Sequence, residues 1–168
     1  MEWTNFLGFI KQYGGPIFAI FGAGFAAFMA GMGSAKGVGL VGEVSTGLVT
    51  EDPDKFGRTL ILQVIPGTQG FYGFITALII LSRIGLLSGN LKPLTLYQGL
   101  LFLAASLPVA FVEYSSAISQ GKTAAAGIQI IAKRPEKFFD GVIYAVMVET
   151  YAVLALIVSV LMIVNIPL

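Results

Sequence analysis

The chain of 168 residues is 56% hydrophobic and only 11% charged, with a strongly positive mean hydropathy, so it has too little polar surface to clothe a soluble globule and takes lipid as its solvent. Its 10 basic and 9 acidic residues leave a formal net charge of +1, which gives no field to gather nucleic acid or an acidic partner. Cysteine and histidine are both absent, which excludes disulfides, thiolate or imidazole metal sites and the catalysis built on them; a cation site here has to be made of oxygen.

Uncharged stretches cover residues 12–35, 59–82, 93–112 and 141–168, the last interrupted only by Glu149. Each reaches the roughly 20 apolar residues that a helix needs to cross a bilayer, which predicts an all-α membrane protein with four transmembrane helices. The opening residues MEWTNFLGFIKQ carry no basic n-region, so no cleaved leader is expected. The first helix is dense in small residues, among them Gly22, Gly24, Ala26, Ala30, Gly31, Gly33, Gly37, Gly39 and Gly42. These let helices approach closely, either on the inner layer of a ring or in ordinary bundle packing. Residues 37–42, GVGLVG, match the glycine-rich dinucleotide fingerprint, but no strand precedes them and no βαβ unit surrounds them, so the match is rejected.

In the second helix the run Ile65-Pro66-Gly67-Thr68-Gln69 sets a hydroxyl beside an amide, with Tyr72 one turn after Thr68. Pro66 cannot donate to the carbonyl of Leu62, which leaves backbone oxygen for other uses. The third helix is expected to begin near Tyr97 and run toward Ala132, with no proline break before Arg134-Pro135. At about 1.5 Å per residue it is longer than the hydrocarbon layer and should project into water. It carries Gln120 and, seven residues earlier on a similar face, Glu113, to which the sequence assigns no role. Lys36 and Lys122 are open between snorkelling and facing lipid.

Turn signals at residues 51–54, 88–93 and 133–136 join the helices into two hairpins, residues 1–90 and 91–168. The loops at 51–58 and 133–140 carry Lys55, Arg58, Lys133, Arg134 and Lys137, against Lys11, Arg83 and Lys92 at the other side. The positive-inside rule therefore predicts cytoplasmic hairpin loops and termini outside. Sliding the sequence on itself by 82 residues lays Ser34-Ala35 on Ser116-Ala117, Gly39 on Gly121, Pro53 on Pro135, Lys55-Phe56 on Lys137-Phe138 and Thr68 on Thr150. An even number of spans per copy makes the repeats parallel, related by an axis along the membrane normal, an arrangement that can continue around a ring.

The copies differ at Glu149, which falls on Gly67. A mid-membrane acid is costly unless neutralised, so Glu149 is read as an ion-carrying carboxylate, the alternative being a protonated acid that bonds a neighbouring helix. Thr68, Gln69, Gln120, Glu149 and a local carbonyl supply the oxygen set that suits a hard cation. The same Thr and Gln side chains could instead be interhelical hydrogen-bond glue, and spacing leaves the two readings level.

Residues 33–39 (GSAKGVG), 61–70 (ILQVIPGTQG), 120–122 (QGK), 124–130 (AAAGIQI) and 147–152 (MVETYA) resemble the K subunit of bacterial V-type sodium-transporting ATPases, the proteolipid or c-type rotor-ring subunit. The resemblance covers nearly the whole chain, departing at the extended amino end and around Lys92-Pro93. It implies sodium as the transported ion, bound by the side chains of Thr68, Gln69, Gln120 and Glu149 and the main-chain carbonyl of Ile65, with Tyr72 hydrogen-bonding the carboxylate. It further implies a homo-oligomeric ring in the cell membrane, surrounded by lipid and turning against a stator membrane subunit that carries an arginine, with central-stalk subunits attached. ATP hydrolysis would belong to other subunits, and the chain itself would be no enzyme. A proton-translocating ring is the nearest rival; an unrelated oligomeric channel would need a water-lined polar helix face, which the sequence lacks.

Overall fold

The computed structural model describes residues 6–168, so the first five residues of the extended amino end lie outside it. The described residues form helices and no strand: α1 (Phe6–Glu51), α2 (Phe56–Val64), α3 (Thr68–Arg83), α4 (Leu96–Lys133) and α5 (Phe138–Val164). The three-residue 3₁₀ turn Ile65–Gly67 joins α2 to α3, so that together they make one continuous rod, and among the described residues four rods are long and apolar enough to cross a membrane. The 3₁₀ turn falls on Pro66, whose missing N–H rules out an α-helical bond at that point. At about 1.5 Å per residue the 46 residues of α1 and the 38 of α4 each outrun the hydrocarbon layer, so the first helix continues past the uncharged residues 12–35 to the turn expected at 51–54.

The third rod runs unbroken, as expected, although Pro108 lies inside α4. The backbone N–H of Val109, beside the proline, donates to the Ser159 hydroxyl of α5 at 3.1 Å, so a neighbouring helix takes up a donor where the local ladder is disturbed. α4 starts on a capping box in which the Thr95 hydroxyl accepts from the Gln98 N–H and the Gln98 side chain accepts from the Thr95 N–H.

The internal repeat is reproduced in the backbone. α1 ends at Glu51 and α4 at Lys133, and the 3₁₀ turns that follow occupy Pro53–Lys55 and Pro135–Lys137. The first helices of the two hairpins pack on each other through glycine: a methyl on Gly33 would lie 2.5 Å from the Tyr114 Cα, one on Gly37 would overlap the Ala117 carbonyl, and one on Gly121 would lie 2.5 Å from the Gly37 Cα. The repeat counterparts of Gly22, Gly33 and Gly37 are Ala104, Ser115 and Ser119, and these three small residues are exposed on α4. α4 thus presents outward, at equivalent positions, the kind of surface that α1 turns inward. An interface of this head-to-tail type propagates and closes into a ring when the rotation allows.

Two apolar clusters sit at opposite ends of the bundle. One gathers Ala23, Ile80, Ile84, Phe102 and Ile163 near the 84–95 connection, and the other gathers Val41, Leu62, Ala124, Ile128 and Ala145 toward the hairpin loops. Between them lies a polar layer with Gln69, Gln120 and Glu113, all without exposed surface.

Candidate functional site

The layer is built where α3, α4 and α5 meet, and each helix brings its polar group there for a local reason. At the 3₁₀ turn the Ile65 carbonyl accepts the Thr68 N–H, and the Thr68 hydroxyl donates to the same oxygen at 3.0 Å. The carbonyl brought to the site is therefore that of Ile65, not the Leu62 carbonyl to which the missing proline donor alone pointed. Gln69, one residue on, turns fully inward, and its Oε1 accepts from the Thr68 hydroxyl at 3.3 Å. Its amide nitrogen donates to Gln120 Oε1 at 2.6 Å across the α3–α4 boundary.

Gln120 is the hinge between helices. Its Nε2 donates to the Ala145 carbonyl of α5 at 3.0 Å and to Glu149 Oε2 at 3.3 Å. The other carboxylate oxygen, Oε1, accepts from the Tyr72 hydroxyl at 2.6 Å. Tyr72 and Glu149 are half-buried, whereas Gln69 and Gln120 are sealed, so the carboxylate forms the outer edge of the layer and the amides its inner wall.

The six residues singled out from the sequence, Ile65, Thr68, Gln69, Tyr72, Gln120 and Glu149, thus form one unbroken hydrogen-bonded chain within a single polypeptide. The Thr68 hydroxyl lies 3.0 and 3.3 Å from the Ile65 and Gln69 oxygens. That is close to the spacing of neighbouring oxygens around a hard cation held at roughly 2.3–2.6 Å. Sequence reasoning missed the Ala145 carbonyl, which fixes the Gln120 amide; a backbone oxygen in an unbroken helix leaves no trace in residue type. Glu113 lies between the same two apolar clusters, about two turns along α4 from Gln120, and outside this chain of bonds. Lys36 donates to the Tyr114 hydroxyl at 2.9 Å at the exposed side of α1, away from the layer.

The chain is similar to known proteins over most of its length. Residues 21–80 and 103–162 each match the family of the ATP synthase C subunit. The chain belongs to that family. Its two matched segments stand in the same 82-residue register as the internal repeat, so each hairpin is one unit of the family. Among relatives, the chain is 50% identical to the V-type sodium ATPase subunit K of Enterococcus hirae over 156 residues, covering 93% of this chain and 96% of that protein. It is 35% identical to the A-type ATP synthase subunit K of Methanocaldococcus jannaschii over 145 residues, 86% of this chain and 61% of that protein. The V-type proton ATPase 16 kDa proteolipid of Homo sapiens is 23% identical over 145 residues, 86% of this chain and 90% of the relative.

Proposed function

We propose that the chain is the rotor-ring subunit of a V-type rotary ATPase and carries sodium ions across the membrane. Glu149 is the ion-carrying carboxylate, and Thr68, Gln69, Gln120 and the Ile65 carbonyl are the other ligands. The observation that carries this reading is the hydrogen-bonded chain that links the Ile65 carbonyl, Thr68, Gln69 and Gln120 to the Glu149 carboxylate between two apolar clusters. A proton needs one acceptor; a set of this size suits a hard metal cation. The 50% identity to a subunit K named for sodium points the same way.

Charge neutrality drives the mechanism. With a cation seated, Glu149 and its ligands pass through lipid without a net charge, whereas the bare carboxylate would meet a desolvation cost of several kcal/mol. The Tyr72 hydroxyl bonded to Oε1 holds the carboxylate against the amides, so the ion is enclosed while the subunit travels. Half-burial of Glu149 lets it open toward a neighbouring stator subunit, where an arginine competes for the carboxylate and promotes release. Hairpin loops on the cytoplasmic side, favoured by the basic residues at 51–58 and 133–140, meet the central stalk, and ATP is hydrolysed elsewhere in the complex. The hairpins 1–90 and 91–168 work as one ion-binding unit.

The test is modification of the purified ring by dicyclohexylcarbodiimide, which reacts with a protonated carboxyl, at fixed pH with and without sodium. Protection of Glu149 by sodium, but not by potassium at matched ionic strength, is expected. Labelling indifferent to sodium would favour a proton-carrying ring, and a Glu149→Gln variant that still pumped would sink the carrier assignment altogether.

A further inference from the structure

A second acid is buried in the same span. Glu113 of α4 has no exposed surface, and neither of its carboxylate oxygens has a hydrogen-bond partner. It stands seven residues before Gln120, about 10 Å along the helix axis and away from the hairpin loops. Cross-helix bonds fix its level: on one side the Ser116 hydroxyl donates to the Val148 carbonyl, and on the other the Val109 N–H donates to Ser159, both across to α5. Extending that antiparallel register, and the Gln69–Gln120 pair on α3, brings Ala152 and Thr76 to the level of Glu113, and both are fully buried. The Thr76 hydroxyl donates to the Tyr72 carbonyl at 2.9 Å, so its proton is already committed. From α1, Gly33 brings only backbone against the neighbouring Tyr114, and Lys36 is taken by the Tyr114 hydroxyl at the exposed side. The ionisable groups within Coulombic range of Glu113 are Glu149 on α5 and Tyr72 on α3.

An isolated carboxylate cannot remain bare in such a place, and a protonated one would still need an acceptor for its O–H. The repeat sharpens the point. Glu113 falls on Gly31 under the same 82-residue shift that lays Glu149 on Gly67, so the second hairpin carries both acids and the first has glycine at both positions.

We propose that Glu113 is a second cation-binding carboxyl, so that each subunit carries two neutralised acids through lipid instead of one. The shared chemistry is a monovalent cation on an otherwise unpartnered carboxylate, and its source is either sodium or a proton. The proposal rests on the chain acting as an ion-carrying ring, but its readout is at Glu113 and is separate from that of Glu149.

The intact ring in detergent distinguishes the sources. If sodium is the ion, radioactive sodium binding at saturation is twice as great per subunit in the wild-type ring as in Glu113→Gln. If a proton is held, sodium stoichiometry is equal in the two rings, and dicyclohexylcarbodiimide adds to Glu113 as well as Glu149, with the Glu113 adduct located by peptide mass spectrometry. Equal sodium stoichiometry with no adduct on Glu113, in wild-type rings whose Glu149 is labelled normally, overturns the proposal. Because the adduct is read on the wild-type protein, the proton arm stands even if the variant assembles poorly, and the sodium arm is then read as two sodium ions bound per wild-type subunit against one.

Discussion

At the scale of single residues, the proposed site would divide its work between holding the cation and holding the carboxylate, and substitutions should separate the two. Thr68→Val keeps the side-chain volume and deletes the oxygen that lies 3.0 Å from Ile65 O and 3.3 Å from Gln69 Oε1. A loss of about 1–2 kcal/mol is expected, or a sodium Kd raised roughly tenfold, with the ring still assembling. Equilibrium sodium binding on purified rings checks this, and an unchanged Kd would return Thr68 to the role of interhelical glue. Tyr72→Phe removes the 2.6 Å bond to Glu149 without removing a ligand. A hydrogen bond to a charged group contributes about 1.5–3 kcal/mol, so sodium should be held at least tenfold more weakly. Because the lost bond is to the carboxylate, its loss should show mainly as faster sodium release, measured by isotope exchange. An unaltered release rate would mean that the tyrosine does not hold the carboxylate closed.

At the scale of elements, much of the architecture was legible because lipid makes the sequence simple. Backbone groups must be satisfied within a span, so long uncharged runs become helices, and the duplicated Pro-Asp-Lys-Phe and Pro-Glu-Lys-Phe loops mark equivalent hairpin ends. Helix length beyond the membrane was less legible. Residues 36–51 carry charges, and hydropathy alone cannot tell a helix that continues into water from a loop; it was the turn signal at 51–54 that marked where α1 ends. Pro108 shows a limit of another kind: it is absorbed because Ser159, remote in sequence, takes the neighbouring N–H, and a one-dimensional reading cannot see that partner. In the proposed site, residue types pointed to the side chains that the structure joins by hydrogen bonds, the family resemblance supplied the Ile65 carbonyl that the 3₁₀ turn at Pro66 sets against Thr68, and the Ala145 carbonyl came only from packing. Close packing of α1 on α4 depends on glycine in the same way. Gly37→Leu would drive a side chain into the backbone of Ala117 and the Pro66 ring beside the site. Overpacking of this kind costs about 1–3 kcal/mol or more, so a lower melting temperature and weaker sodium binding are expected together. Thermal unfolding of detergent-purified rings tests this, and a variant as stable as wild type would show that the two helices do not need their close approach.

At the scale of the whole molecule, the two hairpins are copies in backbone but complementary in chemistry. The first contributes Ile65, Thr68, Gln69 and Tyr72, the second Gln120 and Glu149, and the bonds that join them cross from one copy to the other. Expression of residues 1–90 and 91–168 as separate chains should therefore give no sodium binding from either alone, and recovery of binding when both are produced together and associate. Sodium bound by the second hairpin alone would show that the first contributes packing and nothing more. The glycine at position 67, where the second copy has Glu149, also sets a gearing. A rotor whose carboxylate stands on every second hairpin passes half as many of these ions per revolution as one armed on each. The turning work is then concentrated on the fewer ions that exchange at the Glu149 position, which lets such a machine push against a steeper gradient at the expense of volume moved.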